Sequence, residues 1–233
     1  MLEDILTAGF RELELPLDET ALRRYRIYYE NLEQTNRVMN LTAITGEEDA
    51  ARLHFLDCAA LLKLEDLRGK SLVDVGTGAG FPGLPLKIAQ PDMRLTLLDS
   101  LEKRVRFLSD TCGRLGFDDV ECIHERAEDA KALHGQFDAA VSRAVARLNL
   151  LAELCLPFVK VGGVFLAMKG PGAAEELAEA AHAIEVLGGG EAEILPYTVP
   201  GTTNAHSVVR IRKVRETPAK YPRRWAKIQK QPL

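Results

Sequence analysis

The fold of this chain is decided by the stretch Asp74-Val75-Gly76-Thr77-Gly78-Ala79-Gly80. It begins at the end of one apolar run, Ser71 to Val75, and a second run, Leu95 to Leu98, ends just before Asp99. Neither run alternates polar with apolar residues, which is typical of strands buried on both faces of a parallel sheet. The glycines let backbone N–H groups approach a ligand closely, and the Asp99 carboxylate can accept two hydrogen bonds from a ribose diol. The pattern therefore predicts a nucleoside-binding crevice.

The spacing of the glycines indicates which nucleoside is bound. Dinucleotide-binding loops read G-x-G-x-x-G, and the third glycine packs the helix on the strand. This loop reads G-x-G-x-G, with Asp74 two residues before the first glycine and the bulky Phe81 where a dinucleotide loop has glycine. The pattern resembles that of the class I S-adenosylmethionine-dependent methyltransferases, in which an acid near the loop can face the cationic amino group of the cofactor. The alternative is that the glycines only form a tight turn, and the second acid after a second strand disfavours it.

Composition places the chain among ordinary globular proteins. It has 233 residues, 46% of them hydrophobic and 27% charged, which fits one domain with an extension. No apolar stretch approaches the ~20 residues that cross a bilayer, and Glu3 and Asp4 give the N-terminus none of the basic character of a secretory signal. The five histidines are dispersed, so we expect no metal site. The four cysteines form no C-x-x-C pair, and we expect free thiols in a reducing cytoplasm: Cys58, Cys112, Cys122 and Cys155.

Charge is distributed unevenly along the chain. The net charge is −4, yet the residues from Arg210 onward are strongly basic and include Glu216 as their single acid. A basic tail on an acidic protein favours a polyanionic partner. Trp225 and Tyr221 lie among these basic residues and favour contact with RNA bases or sugars. A solvated terminus without a partner is the alternative.

A helical region precedes alternating strands and helices. Residues 1 to 64 are predicted to be helical. Strands are then predicted at 71–75, 95–98, 120–123, 137–142 and 164–168, with a terminal hairpin of 194–199 and 207–211. Helices are predicted between them at 82–91, 101–115, 150–159 and 173–187. This order predicts an α/β fold with a doubly wound, mostly parallel, seven-stranded Rossmann-like sheet. We divide the chain into an N-terminal helical extension (1–64), a cofactor-binding core (65–213) and a basic C-terminal tail (214–233).

Further motifs narrow the family. The chain reads N-x-x-x-N-L-T-x-I from Asn36 to Ile44, His54-Phe55-Leu56-Asp57, and an extended glycine loop from Asp74 to Leu86. These strings, with Ser142-Arg143-Ala144 and Met168-Lys169-Gly170, resemble the glucose-inhibited division protein B family of small-subunit ribosomal RNA guanine-N7 methyltransferases. The resemblance covers roughly residues 30 to 225. The chain departs from the family at two places, because Cys58 stands where the family has Ser, and Trp225-Ala226-Lys227-Ile228 replaces an ending with Gly and Pro.

The resemblance implies a set of residues for the S-adenosylmethionine site: Gly76, Gly78, Phe81, Asp99, Ala127, Glu128 and Arg143. Their chemistry gives most of them a role. The glycines admit the amino-acid end of the cofactor, Asp99 takes the ribose hydroxyls, and Phe81 supplies an apolar wall. A backbone amide at Ala127-Glu128, after the third strand, can hydrogen-bond the adenine. Arg143, at the end of the fourth strand, is the candidate catalytic residue, which would orient the base, a phosphate or the methionine carboxylate; a structural salt bridge is the alternative.

The residues after the predicted fourth strand also indicate which type of base atom is methylated. Exocyclic base amines are commonly methylated by enzymes with an Asn/Asp-Pro-Pro-aromatic motif after strand four, where this chain has Ser142-Arg143-Ala144. Guanine N7 already presents a lone pair, so attack on the methyl group needs alignment and electrostatics and no general base. His54 and Asp57, one helical turn apart, form either a local structural pair or part of the substrate lip. The cations expected to hold RNA phosphates are Lys103, Arg104, Arg126, Lys169, Arg223 and Arg224.

The sequence as a whole predicts an S-adenosylmethionine-dependent methyltransferase that acts on guanine N7 of 16S ribosomal RNA. The expected partner is that RNA or the small ribosomal subunit, and we expect a cytoplasmic monomer that binds no membrane. Three alternatives remain open at this point. They are a class I methyltransferase of small molecules, a NAD-linked oxidoreductase, and a ribosome-associated RNA-binding protein without turnover.

Overall fold

The computed structural model describes residues 1–233, and its centre is a seven-stranded sheet in the order β3-β2-β1-β4-β5-β7-β6. Strands β1 to β5 run parallel, and β7 lies antiparallel between β5 and β6. The strands are β1 (Ser71–Val75), β2 (Arg94–Asp99), β3 (Val120–His124), β4 (Phe137–Arg143), β5 (Val159–Lys169), β6 (Gly189–Thr198) and β7 (Ala205–Lys213). The predicted doubly wound, mostly parallel sheet is therefore confirmed.

Helices cover both faces of the sheet. They are α1 (Leu2–Glu12), α2 (Glu19–Met39), α3 (Glu47–Asp49), α4 (Asp57–Ala59), α5 (Gly83–Ala89), α6 (Glu102–Leu115), α7 (Leu148–Cys155), α8 (Ala173–Val186) and α9 (Trp225–Lys230). On the first face, one apolar cluster joins the N-terminal helices to α5 and α6. On the second face, another cluster joins α7, α8 and the C-terminal tail to the sheet and to the connection between β3 and β4. None of the helices is long and apolar enough to cross a membrane.

The parallel order reverses between β1 and β4, and this places the crevice. The chain steps from β1 outward to β2 and β3, then returns to pair β4 on the other side of β1. Connections on the two sides of such a reversal leave the sheet on opposite faces, so a gap opens at the carboxyl ends of the strands. Gly76, Asp99 and Arg143 all follow or end strands at this edge. The register aligns them, because Val75 pairs with Leu98, and Arg143 pairs with Met168.

The N-terminal region is helical with two interruptions, at 13–18 and 40–46. Helix α2 begins where the Asp18 carboxylate accepts a hydrogen bond from the Ala21 N–H, and it ends at Asn40 in the left-handed conformation. Two tyrosine hydroxyls of α2 donate to carbonyls beside the glycine loop, Tyr28 to Ala79 and Tyr25 to Pro85. Between α3 and α4 the chain is wound as a π-helix, from Ala50 to Leu56, and α4 continues into a 3₁₀ turn at Ala60–Lys63. The extension therefore supports the loop that the sequence singled out.

Two neighbouring boundary predictions differ from the structure. The helix expected at 150–159 ends as α7 at Cys155, and Leu156–Phe158 forms a 3₁₀ turn. Strand β5 begins at Val159 and runs through the two glycines that were expected to precede it. The tail is ordered, with α9 at its end and Ile228 fully buried. All four cysteines are free, and three of them are buried. The three-part division of the chain remains a prediction.

Candidate active site

A single large cleft opens at the carboxyl edge of the sheet. Its volume is about 1180 Å³, and it is bounded by the glycine loop, by the segments that follow β2, β3, β4 and β5, by the N-terminal extension and by the tail. All seven predicted cofactor residues line it: Gly76, Gly78, Phe81, Asp99, Ala127, Glu128 and Arg143. Of the predicted RNA-binding cations, Arg104, Arg126 and Lys169 line the cleft, whereas Lys103, Arg223 and Arg224 do not.

The glycine loop has the shape that close approach of a ligand requires. Gly76 and Gly78 have φ values of +71° and +63°, in the left-handed region that favours glycine. A Cβ atom at Gly78 would meet no atom within 4 Å, so this position faces open cleft. The Gly78 N–H donates to Asp99 Oδ2 over 2.9 Å, which ties the loop to the end of β2. The loop can therefore hold the amino-acid end of S-adenosylmethionine beside the carboxylate that would take the ribose.

The Asp99 carboxylate is held in place by hydrogen bonds from the protein. It is 3% exposed, and its Oδ1 accepts a hydrogen bond from the Leu101 N–H at 2.9 Å. The Arg104 guanidinium reaches Oδ2 at 3.4 Å. A carboxylate has about four lone-pair sites. The donors from Gly78, Leu101 and Arg104 fix its orientation and leave one site, on Oδ1, for a ribose hydroxyl.

Asp74 does not act as the sequence suggested. It was expected to face the cationic amino group of the cofactor, but it is fully buried behind the loop and does not line the cleft. Its Oδ2 accepts hydrogen bonds from the Thr77 hydroxyl at 2.7 Å and the Gly83 N–H at 2.8 Å, and its Oδ1 has no partner. Burial raises the pKa of Asp74 to about 7, despite those two hydrogen bonds. Asp74 therefore closes the loop from behind.

Arg143 lies at the centre of a polar network with Leu53, His54 and Asp57, and we call these four cleft residues the cleft floor. Its Nη1 donates to the Leu53 carbonyl at 3.1 Å and to Asp57 Oδ2 at 3.0 Å, and its Nη2 bonds His54 Nδ1 at 2.9 Å. The guanidinium also lies over the ring of Phe81, 4.9 Å from its centroid. Arg143 therefore forms the salt bridge that sequence analysis named as the alternative and also lines the cleft, and its catalytic role remains a prediction.

The network fixes the state of His54. An arginine can only donate, so His54 Nδ1 is the acceptor and Nε2 carries the proton. That proton points to the Thr42 hydroxyl at 2.9 Å, and the ring stacks on Phe81 with centroids 4.1 Å apart. Burial, reinforced by the charge of Arg143, lowers the pKa of His54 to about 3. The imidazole is therefore neutral and uses both nitrogens.

Asp57 joins the network to the terminal hairpin. Its Oδ1 accepts hydrogen bonds from the Tyr197 hydroxyl and from His206 Nδ1, each at 2.7 Å. Burial alone would raise the pKa of Asp57, but the hydrogen bond from His206 and the charge of Arg143 hold it below its ordinary value. Tyr197 and His206 line the cleft, and sequence analysis missed both. They lie 140 and 149 residues from Asp57, and no local pattern marks them.

Three of the six predicted RNA-binding cations are exposed, two are ion-paired within the fold, and Arg104 is half-buried beside Asp99. Arg126 has a side chain that is 58% exposed at the cleft, and Lys103 and Arg224 are exposed outside it. Lys169 differs from the expectation of a cation presented to RNA, because its Nζ donates to Glu176 at 2.8 Å and to the Ala146 carbonyl. Arg223 likewise forms a bidentate ion pair with the fully buried Glu153, with its Nη2 2.6 Å from Oε2. Lys169 and Arg223 are therefore engaged in ion pairs within the fold, and the RNA contacts of the six cations remain predictions.

The fold is that of the class I S-adenosylmethionine-dependent methyltransferases. A methyltransferase from Aquifex aeolicus superposes with a TM-score of 0.52 at 21% identity, over 70% of this chain and 93% of that one. A precorrin-6y C5,15-methyltransferase from Geobacter metallireducens gives 0.51 at 16% identity, over 67% and 87%. Likeness at this level establishes the fold.

The sequence establishes the family. Residues 21–200 match the model of the rRNA small subunit methyltransferase G family, and the chain belongs to that family. Ribosomal RNA small subunit methyltransferase G of Pelotomaculum thermopropionicum is 48% identical over 100% of this chain and 99% of its own length. The protein of the same name from Clostridium botulinum is 44% identical over 99% and 98%. The family resemblance predicted from the motifs is confirmed.

Proposed function

We propose that this chain transfers a methyl group from S-adenosylmethionine to N7 of a guanine in 16S ribosomal RNA, as a monomer in the cytoplasm. Family membership supports an RNA of the small ribosomal subunit as the substrate. The observation that carries the proposal is the arrangement of the cleft. One wide cleft joins the glycine loop and Asp99 to an open mouth at which the exposed Arg126 can meet a phosphate.

The residues of the loop side bind and orient the cofactor. Gly76 and Gly78 receive the methionine end, and Asp99 receives a ribose hydroxyl. Ala127 and Glu128, which follow β3 and line the cleft, would border the adenine, and Phe81, which lines it too, would supply an apolar wall. When bound, the cofactor supplies an electrophilic methyl group on a sulfonium centre. Arg143 closes the floor between this side and the incoming base.

The chemistry of the floor suits a nucleophile that needs no deprotonation. His54 is neutral with both nitrogens engaged, and Asp57 accepts three hydrogen bonds, so neither is placed as a general base. Guanine N7 attacks with an existing lone pair, and its rate then depends on alignment and exclusion of water. The fixed Arg143–His54–Asp57 network supplies a rigid floor for that alignment.

The test is methyl transfer by the purified protein to small-subunit RNA and to small subunits that lack the modification. Nucleosides from the product are separated by chromatography and identified by mass spectrometry. We expect one new 7-methylguanosine per RNA. Methylation of an adenine, a pyrimidine or an exocyclic amine would refute the assignment of the target atom. Methylation of an added small molecule with no RNA product would favour the small-molecule alternative.

A further inference from the structure

The single tryptophan of the chain lines the cleft, although it belongs to the C-terminal tail. Trp225 is the first residue of α9, and the tail that carries it is fastened on both sides of this residue. On one side Arg223 is paired with the buried Glu153 of α7, through its guanidinium and its backbone N–H. On the other side Ile228 is fully buried. The indole is therefore held at the cleft by a docked segment.

The position of Trp225 indicates which part of the cleft it serves. Two apolar flanks line the cleft, and they belong to opposite faces of the sheet. The flank on the first face includes Phe81 and Tyr197, and it carries the polar network of Arg143. The flank on the second face includes Leu98, Ala127, Leu154 and Trp225. Leu98 precedes the ribose-binding candidate Asp99, and Ala127 is the candidate for adenine. Trp225 thus shares its flank with the residues assigned to the nucleoside.

This flank also carries a polar group that can recognise a nucleoside. The Glu128 carboxylate, whose side chain is 10% exposed, lies on the same side, and Arg126 approaches it at 3.6 Å. A carboxylate can accept a hydrogen bond from the exocyclic amine of adenine. An indole offers a large flat surface against which such a ring can pack. We propose that Trp225 forms a wall of the adenosine half of the S-adenosylmethionine site, so that the C-terminal tail is part of the cofactor site.

This inference rests on the cofactor assignment in the proposed function, and one titration separates the two. Because Trp225 is the only tryptophan, emission excited at a wavelength that the five tyrosines do not absorb reports on this position alone. S-adenosylmethionine should change the emission and protect the indole from acrylamide, with a midpoint equal to the Kd from calorimetry. Adenosine should reproduce the change and methionine should not.

Variants then measure the contribution to affinity. Trp225→Ala should weaken S-adenosylmethionine binding about tenfold, the range expected when an aromatic ring that packs on a base is removed. Trp225→Phe, which keeps an aromatic ring, should lose about half as much on a logarithmic scale. Lys227→Ala is the matched control on the same helix, because this side chain is exposed and does not line the cleft, and it should leave the affinity unchanged. Melting curves of all three variants check that the tail remains docked.

Each other outcome overturns the inference in a recognisable way. Calorimetric binding of S-adenosylmethionine with unchanged fluorescence, and with wild-type affinity in Trp225→Ala, would refute the role of Trp225 and leave the proposed function intact. A fluorescence change with an RNA oligonucleotide and none with S-adenosylmethionine would reassign the indole to the RNA. If calorimetry detects no S-adenosylmethionine binding at all, the cofactor assignment fails, and this inference fails with it.

Discussion

The guanidinium of Arg143 donates to the carboxylate of Asp57 across 3.0 Å, and the two residues lie 86 positions apart in the chain. The contact joins the end of β4 to the helical region that precedes the sheet. Because Asp57 also accepts hydrogen bonds from Tyr197 and His206, three distant segments meet at one buried ion pair. The floor of the cleft is therefore both a functional surface and a structural joint.

Removal of Arg143 should affect stability as well as turnover. From the sequence alone, a rim residue would leave the melting temperature almost unchanged. In the structure, Arg143→Ala removes the permanently charged partner of the buried Asp57, and we expect a loss of about 3 kcal/mol in urea unfolding. The double variant Arg143→Ala/Asp57→Ala should be less destabilised than the sum of its single variants. Additive losses would show that the pair is not coupled.

The conservative variant Arg143→Lys separates a catalytic role of Arg143 from its structural role. Arg143→Lys keeps the charge but loses the planar fork that contacts His54 and Asp57 together. We expect a fall in single-turnover methyl transfer of at least tenfold, or about 1.4 kcal/mol, while binding of S-adenosylmethionine measured by calorimetry changes less. Wild-type single-turnover rates in a folded Arg143→Lys protein would leave Arg143 with a structural role only.

Gly78 and Gly116 form a matched pair for the glycine loop. Both have φ near +65°, and a Cβ atom at either would meet nothing within 4 Å, but only Gly78 lines the cleft. An alanine at either position should cost about 1–2 kcal/mol of stability through backbone strain. Only Gly78→Ala should also lose S-adenosylmethionine affinity in calorimetry, because its methyl group enters the ligand space. Equal affinities in both variants would remove the loop from the cofactor site.

Much of the fold follows from local patterns. The apolar runs before Gly76 and Asp99 are long enough and uniform enough to predict buried parallel strands, and the glycine spacing predicts the loop between strand and helix. The predicted start of β5 was wrong because two consecutive glycines, Gly162 and Gly163, are typical of a loop between elements. In the structure the strand passes through them. Where β5 begins depends on the residues that pack beside it in the folded protein, and a short stretch of sequence does not reveal them.

The site was predictable where its residues follow strands and unpredictable where it depends on long-range contacts. Asp99 and Ala127 could be placed because the carboxyl ends of parallel strands meet at one edge. Asp74 likewise lies at the end of a predicted strand, yet its side chain points inward to Thr77 and Gly83. This orientation depends on the packing of the loop. Trp225 interrupts the family pattern, so the resemblance gave no expectation for it.

Asp74 should give the stability a measurable pH dependence. Burial raises its pKa to about 7 from an ordinary value of 3.8, so between those pH values the folded state holds a proton that the unfolded state has released. This contribution to the free energy of unfolding is complete below pH ~4 and is lost as the pH rises through 7. Urea unfolding at pH 5 and pH 8 measures it.

The change from pH 5 to pH 8 should be more favourable in Asp74→Asn than in the wild type, because asparagine does not titrate. His54 acts in the opposite direction, since its pKa of about 3 makes the unfolded state bind more protons between pH 3 and 6.5. Both proteins retain His54, so its effect cancels in the comparison. The same pH difference in both proteins would show that Asp74 titrates normally in the folded state.

The tail contains two arginines with different expected roles. Arg224 is exposed, and Arg224→Ala should reduce the salt dependence of RNA binding by ~0.7 log unit per log unit of salt if it contacts one single-stranded phosphate. Arg223→Ala should instead lower stability, because the buried Glu153 loses its partner. RNA binding at several salt concentrations and urea unfolding distinguish them. An unchanged salt slope in Arg224→Ala would leave that residue without an RNA contact.

The central claim is tested most directly in rRNA from cells that lack this protein. The account predicts that mass spectrometric mapping of 16S ribosomal RNA from a deletion strain shows the loss of one 7-methylguanosine. The wild-type protein should restore that nucleoside, and Gly78→Ala, produced at the same level, should restore much less. An unchanged set of methylated guanines in the deletion strain, or the loss of a different modified nucleoside, would contradict the account.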